Sequence, residues 1–175
     1  MEWYDLMADG YGRITDTIKK VLKDLNREDL NWQPRPDCNS IGWTVWHLAR
    51  VQDAQIADLM KKEQLWIKDK WYVKFKRNAD TEDTGFGHTP DDVAAFKSPT
   101  SSILLDYLKV TVEQSIKFFP TLSKSDLDRE LNEPWFQPLP TVGVRIISIL
   151  SDGLLHAGEA AYLRGLHQGK GWQKY

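Results

Sequence analysis

The sequence predicts an all-α protein, a four-helix bundle with long irregular inter-helix connections. Four long segments repeat apolar residues at steps of three and four, the spacing of one face of a 3.6-residue turn. No stretch alternates apolar and polar residues for long enough to suggest a sheet. The joining segments are long enough for the helices to cross rather than simply turn back, as in bundles with crossover connections. At 175 residues the chain reads as one domain, 1–175.

The first helix is expected over Trp3 to Leu25, where Met7, Tyr11, Ile14, Ile18, Val21, Leu22 and Leu25 draw one apolar stripe. Asn26 to Asn39 carries Pro34 and Pro36 and reads as a connection. Ser40 is a suitable cap for a second helix running to about Met60, with Ile41, Val45, Leu48, Ile56 and Leu59 buried and Gln52 interrupting the stripe. Lys61 to Thr100 has poor periodicity and reads as a long irregular insert, a feature that often carries function. Within it Thr89-Pro90-Asp91-Asp92 has the cap, proline and first-turn acids of a short helix.

A third long helix is expected over Ser101 to Phe119, ended or kinked by Pro120. Leu131 to Pro140 holds three prolines around Trp135 and Phe136 and reads as a loop. The last helix, about Thr141 to Gln168, is apolar on more than one side through Ile146, Ile147, Ile149, Leu150, Leu154 and Leu155. It is therefore expected to be buried on several faces.

Composition narrows the function classes. With 23 basic and 25 acidic residues, the net charge of −2 gives no global attraction to nucleic acid or anionic lipid. The basic, aromatic stretch Lys68 to Arg77 is followed directly by acids, so a solvated loop is expected there and no nucleic-acid partner. No run reaches the ~18 apolar residues of a membrane span, and the amino end lacks a secretion pattern. One cysteine, Cys38, makes no internal disulfide and fits a reducing, cytoplasmic setting.

Chemistry concentrates in the histidines. His47 lies one turn into the second helix and His156 in the middle of the last. Asp152 and Glu159, four residues before and three after His156, share its face. A carboxylate in so apolar a helix must be protonated, paired or metal-bound. Arg145, Arg164 and Arg50 are the pairing alternatives for Asp152. Two imidazoles and a carboxylate on facing helices would instead leave open coordination positions, as catalytic metal sites do. A di-iron bundle is disfavoured, because no glutamate neighbours His47 on the second helix.

Two segments resemble the DinB/YfiT-like metalloenzyme superfamily: Asn39-Ser40-Ile41-Gly42-Trp43-Thr44-Val45-Trp46-His47-Leu48-Ala49-Arg50, and Asp152 to His156 with the following Gly158, Glu159, Tyr162, Leu163, Arg164 and Gly165. The Gly85-Phe86-Gly87-His88-Thr89 loop resembles one subgroup. The resemblance implies an up-down-down-up bundle, a divalent metal, a frequent homodimer, and kinship with thiol-dependent enzymes such as mycothiol-dependent maleylpyruvate isomerase and the bacillithiol transferases. It places metal ligands at His47, Asp152 and His156. Asp152 stands where a third histidine is usual, which lowers the charge of the site by one unit. Carboxylate remains a ligand for Zn, Ni, Fe or Mn.

Glu159 is a candidate partner for a ligand imidazole or a general base. His88 is a candidate fourth ligand or acid/base from its loop. Arg50 and Arg164 are candidates to hold the carboxylates of a low-molecular-weight thiol. His167 is expected to complement the end of the last helix. Tryptophans 43, 46, 66, 71 and 135 are core residues or pocket walls. Two functions fit: a metal-dependent hydrolase or thiol S-transferase acting on a small molecule, or a non-catalytic small-molecule-binding or dimeric bundle with a vestigial metal site.

Overall fold

A computed structural model of the chain describes residues 1–173, so the last two residues of the expected 1–175 domain lie outside the described residues. Four long helices dominate: α1 (Trp3–Leu22), α3 (Ile41–Met60), α7 (Ser101–Phe118) and α9 (Val142–Gln168). Short helices fill the connections: α2 (Arg27–Asn31), α4 (Leu65–Lys68), α5 (Trp71–Phe75), α6 (Pro90–Ala95) and α8 (Lys124–Leu127). Among the described residues there is no strand, only an isolated bridge between Glu130 and Thr141 that closes the proline-rich loop.

Helix α1 packs against α7 and α9, and α3 packs against the same two, so α1 and α3 face each other across the core. Gly10 and Gly153 let Leu150 and Ile14 approach closely where α1 and α9 run side by side. Arg164 near the end of α9 reaches the carbonyls of Lys20 and Val21 near the end of α1, so these two helices run in the same direction. Asn39 and His47 meet Glu159 and His156, which sets α3 against the direction of α9. Gln52 of α3 donates to Ser115 of α7 at 2.7 Å, so the polar break in the α3 stripe is a buried bond between helices.

Local signals act where expected. The Ser40 hydroxyl accepts from Trp43 N, and the Thr89 capping box with Asp92 starts α6 on Pro90. Helix α1 stops at Leu22, three residues early, because Asp24 takes a left-handed backbone and Asn26 caps the unanticipated α2. Pro120 lies in a single 3-10 turn that closes α7.

Burial corrects the reading of the last helix. Along α9 one face is buried, through Ile146, Ile149, Gly153, Ala157, Ala160 and Leu163, while Ile147, Leu154, Leu155 and Tyr162 are exposed. The helix enclosed on nearly every side is α3, where fifteen of twenty residues are buried. Position in the bundle, not apolar content, decides which helix is enclosed.

The segment after α3 is more ordered than its periodicity suggests. Asp53, buried in α3, accepts from the backbone N–H groups of Leu65 and Trp66 and from the Tyr107 hydroxyl, all within 2.9 Å. Its neighbour Arg50 lies 3.5 Å away and donates to the carbonyls of Asp80, Thr81 and Asp83. These two side chains bind the loop leading to Gly85 onto the bundle. The basic stretch Lys68 to Arg77, expected as a solvated loop, instead contains α5 with Trp71 and Phe75 buried, and Arg77 pairs with Asp83 at 2.6 Å.

Candidate metal centre

His47, Asp152 and His156 offer one ligand atom each, all within 4.8 Å of one another. They come from α3 and from two positions four residues apart on α9. The imidazoles meet edge to face with centroids 4.7 Å apart.

Each imidazole is held from behind. His47 Nδ1 lies 2.6 Å from the Thr84 carbonyl oxygen. A carbonyl only accepts, so Nδ1 carries the proton and Nε2 presents a lone pair. The Trp43 ring stacks on His47 at 4.8 Å and 10°. His156 Nδ1 lies 2.7 Å from Glu159 Oε2, and Asn39 donates to the other Glu159 oxygen at 2.8 Å. A backbone carbonyl behind one imidazole and a carboxylate behind the other is the outer arrangement that orients metal-binding histidines.

The two histidines are tuned in opposite directions. Burial holds His47 below the usual histidine range, against a smaller opposing effect of the Thr84 bond. His156 is pushed up to about 9 by its bonds to Asp152 and Glu159. For Glu159, burial acts upward but is outweighed by the bonds to His156 and Asn39, which hold its carboxyl below the usual range.

Gly85 locks the Thr84 carbonyl in place. Its φ is +89°, and a Cβ there would lie 2.9 Å from His47 Nδ1 and 3.0 Å from both Trp43 and Trp46. Only glycine satisfies both the backbone angle and the space.

His47 and Asp152 border a cleft of about 840 Å³ between α3, α9 and the loops bearing Phe86 and Trp135. The Asp152 side chain is 33% exposed, so an aspartate in an apolar helix is explained by this opening. Its partner is His156, at 3.5 Å, rather than any arginine; Arg145 pairs with Glu133. The donor set, the anchored rings and the open side of Asp152 fit a divalent cation of the Zn, Ni, Fe or Mn class.

A model of the DinB superfamily matches residues 11–160. The chain belongs to the DinB superfamily. A crystal structure of a conserved protein from Enterococcus faecalis is similar to this DinB chain over 97% of its length and 99% of the other's, with 28% identity and a TM-score of 0.89. No curated protein matches the chain.

The structure also places the other residues singled out in the sequence. His88 accepts from Trp43 Nε1 at 3.1 Å, and its Nε2 lies 3.1 Å from Asp83. Both ring nitrogens are engaged, and the ring stands behind Trp43's contact with His47 rather than among the three ligand atoms. Arg50 is fully buried on loop carbonyls, and Arg164 holds the carbonyl end of α1, so neither lines the cleft. His167 bonds to Asp29 at 2.7 Å and stacks on Trp32, tying α9 to α2. Of the five tryptophans expected in the core or the pocket walls, 43, 46, 66 and 71 are buried, and Trp135 borders the cleft.

Several contributors escaped the sequence reading: Thr84 through its backbone, Asn39 through Glu159, and Glu133 with Arg145 in the cleft. Asn39 belonged to the quoted motif but gave no chemical signal of its own. A backbone carbonyl leaves none.

Proposed function

We propose that this DinB protein is a divalent-metal-dependent enzyme acting on a small molecule at the His47–Asp152–His156 centre. One observation carries the reading: both imidazoles are fixed by partners on their outer nitrogens while their inner nitrogens converge with a carboxylate. A bound divalent cation supplies Lewis acidity at the positions these three side chains leave open.

The chain's own residues prepare that chemistry. His47 is held neutral by burial, with its lone pair directed inward. Glu159 and Asn39 fix the rotation of His156, which makes Glu159 a positioning residue in this reading. His88 acts one layer further out, steadying Trp43 against the His47 ring. Asp152 and His47 face the cleft through which a substrate arrives.

Of the two reactions, hydrolysis is favoured over thiol S-transfer. Among the described residues the cleft carries Asp58, Glu82, Glu133 and Asp152 against one cation, Arg145, a poor seat for the carboxylates of a thiol cofactor. A second copy of the chain is the proposed protein partner, supported by the exposed apolar stripe of Ile147, Leu154, Leu155, Tyr162 and Leu166 on α9. A cytoplasmic setting belongs to the same proposal. It is supported by the free Cys38 and by the absence, among the described residues, of any helix long and apolar enough to cross a membrane.

Metal analysis of untagged protein tests the centre. About one tightly held transition metal per chain is expected, lost in His156→Ala. A metal-free, folded wild type under metal-replete conditions would return the protein to a binding bundle with a vestigial site.

A further inference from the structure

The cleft is built unevenly, and the unevenness selects a ligand. At one end lie His47 and Asp152. At the other, Arg145 follows the same helix seven residues earlier, about 10 Å along its axis. Arg145 pairs with Glu133, which is only 8% exposed yet has an Oε2 with no hydrogen-bond partner among the described residues. A carboxylate oxygen only accepts, so a buried one without a donor is costly until a donor reaches it. Asp58 and Glu82 border the same space, so negative charge exceeds positive there. The opening is flanked by Phe86 and Trp135, 90% and 72% exposed, two large rings left in water on separate loops. Exposed aromatic surface beside a cleft points to a ligand that covers it.

We propose that the substrate is an elongated carbonyl compound, an amide or ester, with a cationic end: its carbonyl at the metal centre, its ammonium on Glu133 and its apolar body between Phe86 and Trp135. The inference rests on the metal-enzyme reading and adds the substrate class. The Glu133 oxygen gains its missing donor, and the surplus of carboxylates favours a positive ligand over a neutral or negative one. The two rings cover the chain between the ends, and an ammonium passing over a ring face is itself attracted to it.

The test uses zinc-loaded protein and three hydroxamates of matched length, in which the hydroxamate addresses the metal. They are 6-aminohexanohydroxamate, hexanohydroxamate and the monohydroxamate of adipic acid. Binding is followed by calorimetry, and zinc content is measured separately. The amino compound is expected to bind about tenfold tighter than the neutral one, and the carboxylate more weakly than both. Glu133→Gln is expected to remove most of the amino compound's advantage over the neutral one, leaving the smaller part that Asp58 and Glu82 supply. Trp135→Ala, on an exposed loop, is expected to weaken all three by about three- to tenfold without changing their order.

Equal affinity of the three probes on zinc-replete wild type overturns the substrate proposal and leaves the metal reading standing. So does an amino preference that is undiminished in Glu133→Gln. Protein that retains no zinc and binds no hydroxamate overturns both. The wild-type comparison needs no variant to fold.

Discussion

Helices α3 and α9 bring the triad together from contrasting surroundings. Helix α3 is enclosed on nearly all sides and keeps Arg50, Gln52 and Asp53 inside, each with a polar partner. Helix α9 is buried along one face and leaves a row of large apolar side chains in solvent. The histidine from the enclosed helix loses proton affinity through desolvation, and the histidine from the half-open helix gains it from two carboxylates. Burial and neighbours thus act oppositely on one residue type within a single centre. In the proposed centre, a cation would meet one imidazole already unprotonated and would have to displace a proton from the other.

The contrast can be broken most severely inside α3. Arg50→Met removes one member of a fully buried pair and leaves Asp53 without its cation. It is expected to cost about 3–5 kcal/mol in denaturant unfolding. A loss under about 1 kcal/mol would show that the interior of α3 does not anchor the loop to Gly85. On α9 the same contrast predicts unequal truncations. Ile149→Ala, on the buried face, is expected to cost about 2–5 kcal/mol, and Leu155→Ala, 69% exposed, to stay within about 0.5 kcal/mol in the monomer. Equal costs would mean that the outer face of α9 is covered in solution.

Gly85→Ala tests the link between the loop and α3. It forces a side chain onto a left-handed backbone beside His47, at an expected cost of about 1–3 kcal/mol. Zinc affinity measured by chelator competition is expected to fall with it, because the Thr84 carbonyl loses its hold on His47. Unchanged affinity would remove that carbonyl from the centre.

The mildest test is pH. The pKa of metal-free His156 lies near 9, above its ordinary value of 6.5, so a cation must displace a proton. Apparent zinc affinity is expected to rise about tenfold per pH unit between about pH 6 and 8. In the metal-free protein, the stabilisation from this ion-paired imidazolium is fully present below about pH 6.5 and is lost as pH rises through about 9. Asp152→Asn removes the main cause and is expected to lower the His156 pKa, as read by NMR titration. An unmoved value would separate Asp152 from His156.

The sequence by itself determined the four long helices and two of the caps, Ser40 and Thr89, because these depend on local spacing and on hydroxyl groups one turn from the N–H groups they bind. It also singled out the three residues of the candidate centre: His47 and His156 as histidines within apolar helices, and Asp152 as a carboxylate one turn before His156. Tertiary structure alone decided which apolar helix is enclosed, since a stripe shows which residues avoid water but not which surface covers them. It also decided the work of the arginines. Arg50 and Arg164 look alike in sequence to a ligand-binding cation, and only the arrival of distant backbone carbonyls shows that they hold the chain together. The Thr84 carbonyl and the Glu133–Arg145 pair are likewise consequences of packing. Backbone groups are the same at every residue, so only their position in space gives them a role.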